Sequence, residues 1–299
     1  MAAITAPAEI GWIGVGKLGL PICKRLTGAG FRVRALCRNR ASEAVASANG
    51  FAIARTIAET VAGADIAVSA ISDDKALFAV ALADGGLKDS LARGQIYVDI
   101  STVSPQMSAQ VAEGLSRIGC AYLRAPVSGS TATAAQGALT ALVSGPPESF
   151  GDMAKVFAAF TKKAFLLGAG EEARTLKLAI NAMLGATSAL LAETLMLARN
   201  GGLDIHTIMD VVSESAIASP LVQYKRGAIT SGDYTAAFSV SQMLKDFDLI
   251  EQAAKATSCE MPLIASVREV YRAAAARGLG DQDFFVLTAP ETGPARSVK

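Results

Sequence analysis

At 299 residues, 51% of them hydrophobic, the chain is long enough to bury a large core and predicts two domains. Its 28 basic and 27 acidic residues nearly cancel and form no basic cluster, which argues against nucleic acid as a partner. Residues 1–9 lack the basic start and apolar run of a signal peptide, and no uninterrupted apolar run reaches membrane-spanning length, so a cytoplasmic protein without a membrane partner is expected.

Cys23, Cys37, Cys120 and Cys259 stand singly in patterned segments, without paired metal spacing, and read as buried free thiols. No metal site is expected. Any zinc site or hydrolase triad built on histidine would have to use His206, the single one in the chain. That residue follows the cap candidate Asp204 in the first turn of a helical pattern, which leaves acid–base work to Lys, Asp, Glu or Tyr.

In chain order, Glu9 to Ile13 predicts a strand, followed by Gly14-Val15-Gly16-Lys17-Leu18-Gly19 and a helical run ending at Gly28 to Gly30. Glycines at this spacing allow a tight turn and a close backbone approach to a pyrophosphate, with the helix N-terminus facing the phosphates. The strand-turn-helix context therefore predicts nucleotide binding. Phe31 to Cys37 is the next strand, and Arg38-Asn39-Arg40 follows it with no acid before Glu43. An NAD site would place a carboxylate here for the ribose 2′-hydroxyl, whereas two guanidiniums match a 2′-phosphate by bidentate pairing. NADP(H) preference is expected, with exposed loop arginines as the alternative.

Asp65 to Ile71 and Gln95 to Ile100 read as buried parallel strands, with Ser72-Asp73-Asp74 and Ser101-Thr102-Val103-Ser104-Pro105 after them. Ligands in open α/β sheets bind beyond the carboxyl ends of strands, so Ser72 and Thr102 either line the cofactor cleft or cap helices. Cys120 to Pro126 is another strand, and Val127-Ser128-Gly129-Ser130 follows. That Ser-Gly turn either presents backbone N–H groups to a carboxylate or only connects. Leu139 to Ser144 and Phe165 to Leu167 complete the strands.

Glu171 to Asn200 is one unbroken helical pattern, roughly 45 Å long at 1.5 Å per residue, closed by Gly201-Gly202. Four more helical patterns follow: Ile205 to Ser215, Pro220 to Thr230, Ser239 to Thr257 and Pro262 to Arg277. The end from Pro290 reads as a mobile tail. The fold class is α/β, with an N-terminal parallel-sheet domain over about residues 1–170 joined by a long helix to an all-α domain over 171–299.

A nucleotide domain plus a helical domain suggests a dehydrogenase. No tyrosine among Tyr97, Tyr122, Tyr224, Tyr234 and Tyr271 has a lysine four residues on, which removes the short-chain type. Lys177 remains as proton donor, unless it is an ordinary surface lysine, and Asn181 shares its helix face one turn later.

Together these segments resemble the β-hydroxyacid dehydrogenase family over about Ile10 to Leu287. Residues 14–21, GVGKLGLP, are similar to its GxGxMGxP cofactor loop with Leu18 for Met, and residues 99–105, DISTVSP, to its D-x-S-T-x-x-P segment. Ala125 to Gly129 resembles its substrate motif DAPVSGG, Lys177-x-x-x-Asn181 its catalytic helix, and Lys245-Asp246 its late KD pair. The resemblance implies a Rossmann-like first domain with Lys177 as general acid/base and Asn181 orienting the reacting oxygen. It implies that Ser128 and Gly129 hold the substrate carboxylate, and that Lys245 closes over cofactor and substrate. The cofactor-binding set becomes Gly14, Val15, Gly16, Lys17, Leu18, Gly19, Arg38, Asn39, Ile71, Ser72, Thr102 and Lys245. Two positions depart from the family pattern: Arg124 replaces the motif's Asp and Ser130 its final Gly. Arg124 either adds a positive charge near the pocket or points away. The implied activity is NADP(H)-dependent interconversion of a small β-hydroxy acid and its semialdehyde or keto acid, in a homodimer or homotetramer. The rivals are an imine reductase of similar architecture and a non-catalytic nucleotide-binding protein.

Overall fold

The computed structural model describes residues 3–290; the tail expected beyond Pro290 lies outside the described residues. Nine strands form one sheet: β1 (Glu9–Ile13), β2 (Arg32–Leu36), β3 (Ala52–Ala54), β4 (Ile66–Ser69), β5 (Ile96–Asp99), β6 (Ala121–Arg124), β7 (Val127–Ser128), β8 (Leu139–Ser144) and β9 (Thr161–Gly168). The helices between them are α1 (Gly19–Gly28), α2 (Arg40–Ala48), α3 (Ile57–Val61), α4 (Asp74–Ala81), α5 (Leu87–Ser90), α6 (Pro105–Arg117), α7 (Thr131–Ala135), α8 (Pro147–Asp152) and α9 (Ala154–Phe160). The long helix is α10 (Glu172–Asn200), followed by α11 (Ile205–Glu214), α12 (Pro220–Ser231), α13 (Val240–Ala256) and α14 (Pro262–Ala274).

The sheet order is β3-β2-β1-β4-β5-β6-β8-β7, with β9 on β8. Strands β3 to β6 in that order are parallel, while β8 runs antiparallel to β6 and β7. The sheet is therefore parallel over most of its width, as expected, and mixed at one end. The segment through α7 is shorter than a parallel crossover requires, so the chain turns back on itself. Side chains alternate across β1: Ile10 and Trp12 enter one apolar layer, and Ile13 enters the other with Tyr97 and Leu115. Gly11 backs onto α3, where a Cβ would stand 2.6 Å from the Thr60 carbonyl oxygen. Helices thus cover both faces, the arrangement a parallel sheet needs.

Two compact units divide at Leu178 and Ala179, inside α10. Among the described residues, the second unit holds helices and turns, with one isolated β-bridge between Ser239 and Asp283. Tyr271 packs on Phe247 with ring centres 5.3 Å apart and donates its hydroxyl to the Gly185 carbonyl oxygen at 3.2 Å. Gly185 lets α13 come close: a Cβ there would stand 2.5 Å from Phe247 Cζ. Lys225 and Asp283 form a buried ion pair at 2.7 Å, and Asp283 also caps a short 3-10 turn at Phe284–Thr288. The α14 pattern ends sooner than Arg277, because the chain passes into a π-type turn at Ala275–Leu279, in which Gly278 adopts φ +83°.

By length and composition α10 is apolar enough to cross a bilayer, with a mean hydropathy of 1.4 over its most apolar stretch. It nevertheless buries Arg174 and Asn181 against its own chain. Cys23, Cys37 and Cys120 are buried free thiols as expected; Cys259 is instead exposed, in the connection before α14.

Candidate active site

The expected cofactor loop lies between β1 and α1, where the strand order reverses from β1-β2 to β1-β4. Such a switch point opens a crevice at the carboxyl edge of the sheet. Gly14 has φ +102°, and a Cβ there would lie 2.1 Å from the Ala70 carbonyl oxygen. A Cβ on Gly19 would lie 2.2 Å from the Gly14 oxygen, so the turn tolerates no side chain at either place. Around Gly16 the opposite holds, with no atom within 4 Å of a Cβ position. Helix α1 starts without a side-chain cap and without an acid in its first turn. An open backbone and an uncapped helix start suit a pyrophosphate. Val15 and Leu18 turn partly into the core, and Lys17 is exposed.

At the end of β2, Arg38, Asn39 and Arg40 are all exposed. Asn39 caps α2, its side chain accepting from the Ser42 N–H at 2.9 Å. The nearest acid, Glu43, pairs with Arg55 at 3.3 Å. Ser72 and Thr102 follow β4 and β5 at the same edge, and neither caps a helix. Asp73 caps α4 and Ser104 caps α6. The Ser72 hydroxyl donates to Asp73 at 2.7 Å.

Beneath this edge lies a network that the sequence reading did not find. Asp99 and Arg174 are 0% and 1% exposed and meet at 2.5 Å. Arg174 also donates to the Ser101 carbonyl oxygen at 2.6 Å, the Tyr122 hydroxyl at 2.9 Å and the Ser108 hydroxyl at 3.3 Å. The other Asp99 oxygen accepts from the Ser69 hydroxyl at 2.5 Å and the Ser101 hydroxyl at 2.6 Å. Ser101 in turn accepts from the Ile71 N–H at 2.9 Å. Burial pushes the Tyr97 and Tyr122 hydroxyls above the usual tyrosine value, so both stay neutral donors. Burial opposes the Arg174 charge, but Tyr122 and Asp99 beside it more than offset that. A carboxylate closing the apolar strand IYVD was the available signal, since a buried charge needs a partner.

Lys177 lies three residues beyond Arg174 on α10 and is half-buried. Ser128 pairs with Thr140 across the β7–β8 ladder. A Cβ on Gly129 would collide with Leu139 and Thr133, at 2.6 and 2.8 Å. Ser130 forms a reciprocal cap with Thr133 at the start of α7, which accounts for serine at that position. Arg124 is buried, lies 2.6 Å from Glu171 and stacks over the Tyr122 ring at 4.7 Å. Its charge is met inside the fold by the Glu171 carboxylate.

In the second unit, Asn181 is 3% exposed and donates its amide to Asp246 at 2.6 Å. The other oxygen of Asp246 is 2.9 Å from the Lys245 ammonium. One fully buried carboxylate therefore accepts a hydrogen bond from Asn181 and pairs with the charge of Lys245, a role the sequence reading had not given it. His206 is exposed, and its backbone N–H donates to Asp204, which caps α11.

Two family models match the chain. Residues 9–168 fit the NAD binding domain of 6-phosphogluconate dehydrogenase, and residues 168–289 fit the NAD-binding region of NADP-dependent 3-hydroxyisobutyrate dehydrogenase. Glyoxylate/succinic semialdehyde reductase 1 of Arabidopsis thaliana is 28% identical over 92% of this chain and 96% of its own length. The chloroplastic reductase 2 of the same plant is 30% identical over 92% of this chain and 77% of its own. A solved 3-hydroxyisobutyrate dehydrogenase of Mycobacterium tuberculosis superposes with a TM-score of 0.83 at 25% identity, covering 94% of this chain and 98% of that one.

Proposed function

This chain belongs to the β-hydroxyacid dehydrogenase family, and from that premise we propose an NADP(H)-dependent reductase of small carboxylated aldehydes or ketones, with Lys177 as general acid/base. The family assignment itself makes it an NAD(P)-dependent oxidoreductase. A bound nicotinamide supplies or takes the hydride. Lys177 gives its proton to the carbonyl oxygen during reduction and removes it from the alcohol in reverse. Asn181, fixed by Asp246, orients the reacting oxygen, and the Ser128-Gly129 turn receives the substrate carboxylate. Arg38 and Arg40 receive the 2′-phosphate, and the pairing of Glu43 with Arg55 supports this by engaging the nearest acid.

The observation that carries the proposal is the anchoring of the first turns of α10. Arg174 bonds to Asp99 and Ser101 at the strand edge that also holds Thr102, and Lys177 stands one turn further along the same helix. Glyoxylate and succinic semialdehyde head the substrate list, from the names of the relatives. The test is NADPH oxidation against both compounds and methylmalonate semialdehyde, comparing wild type with Lys177→Ala. Turnover that falls by about 100-fold or more in the variant supports the assignment. Tight NADPH binding without turnover of any of them refutes it.

We also propose that two copies pair along α10. Met183, Leu190 and Leu197 are 72%, 67% and 76% exposed and recur every seven residues, the spacing of a helix-packing seam.

A further inference from the structure

A proton donor must meet its acceptor at hydrogen-bond distance, so the placement of Lys177 matters as much as its charge. Three segments of the site converge on one buried carboxylate. Asp99 holds the segment after β4 through Ser101 and the Ile71 N–H, the segment after β5 through the Ser101 hydroxyl, and α10 through Arg174. All three guanidinium nitrogens are engaged, on Ser108, Ser101, Asp99 and Tyr122. A buried ion pair gains little over well-packed apolar side chains, so stability alone does not account for it. A planar fork bonded on every side does fix the rotation and height of the helix that carries it. Lys177 is offset from Arg174 by about 4.5 Å along the axis and about 60° around it.

We propose that Arg174, locked to Asp99, is the positioning residue that sets Lys177 against the carbonyl to be reduced. This rests on Lys177 as the acid/base. Arg174 acts through the helix and touches neither substrate nor cofactor.

Arg174→Lys keeps a cation for Asp99 but loses the fork. Its kcat should fall tenfold or more while the NADPH Kd changes less than threefold. The solvent deuterium isotope effect on kcat should rise, because a misplaced donor makes proton transfer limiting. The double variant Arg174→Met/Asp99→Asn removes both charges together and should behave the same way. A folded variant with wild-type kcat overturns the proposal. So does a kcat loss with an unchanged isotope effect and a parallel loss of NADPH affinity, or failure of both variants to fold. Lys177→Ala, measured alongside, separates the two claims. If it keeps wild-type kcat, the acid/base reading fails and positioning with it. If it loses activity while Arg174→Lys does not, positioning alone fails.

Discussion

Replacing Arg38 by alanine should separate the two nicotinamide cofactors. Arg38 is exposed after β2, so its removal leaves no buried partner behind and the fold should be unaffected. A hydrogen bond to a charged group is worth about 1.5–3 kcal/mol. Solvent screening at an exposed position favours the lower part of that range, about 1.5–2 kcal/mol. At about 1.4 kcal/mol per tenfold, the NADPH Kd should rise roughly 10- to 30-fold. NADH has no 2′-phosphate, and its Kd should stay within about twofold if the contact is to that group alone. Arg40, the first residue of α2, is also exposed and should retain part of the attraction, so Arg38→Ala/Arg40→Ala should lose more. Cofactor fluorescence titration at two salt concentrations gives both constants, and added salt should shrink the NADPH advantage. Equal losses for NADPH and NADH, or none for either, would refute the 2′-phosphate assignment.

The glycine loop offers a contrast between two alanines. Gly14→Ala would place a methyl 2.1 Å from a backbone oxygen at φ +102°, and should destabilise the protein by about 2 kcal/mol or more, read as a fall of several degrees in Tm. Gly16→Ala meets open space, so its Tm should match wild type while NADPH binding weakens about tenfold or more if a pyrophosphate passes there. Unchanged NADPH affinity in Gly16→Ala would place the phosphates elsewhere. For the seam on α10, Leu190→Glu should halve the mass found by light scattering, since it buries a charge at the centre of the stripe. A monomeric wild type, or an unchanged mass in the variant, would remove the proposed pairing.

Elements with a continuous apolar run or a clear cap were legible in the sequence. β1, β4, β5 and α10 fall within a residue or two of their expected bounds, and Asp204 caps α11 as read. β3 was missed because Ala52–Ala54 is short and exposed at two of its three positions, leaving no hydrophobic pattern. α7, built of Thr131–Ala135, is a single short turn of small residues capped by Ser130 and has no apolar periodicity to announce it, so the sequence reading assigned no helix there. The turn of the sheet to antiparallel is a matter of which strands pair and in which direction, as Val127 does with Ala141, and periodicity within a single strand does not encode that. At the candidate site, loop glycines and strand-end hydroxyls could be placed from local order alone. Arg174 could not, because an arginine in a helical pattern resembles one on a solvated face until Asp99, seventy-five residues earlier, is known to lie beneath it. Asp246 was visible as half of a KD pair, but its bond to Asn181 spans sixty-five residues.

Gly185 lies one helical turn past Asn181, and Phe247 lies beside Asp246, so the same helix pair that meets at the glycine also makes the amide–carboxylate bond. The spacing between α10 and α13 there is set by a hydrogen atom. Even a single methyl at Gly185 would push the Phe247 ring and, with it, the helix that carries the carboxylate. The reach of a 2.6 Å bond is thus governed by a residue that takes no part in it. Anyone reshaping this helix pair by directed substitution should treat Gly185 as a spacer of fixed thickness, and vary the side chains around it instead.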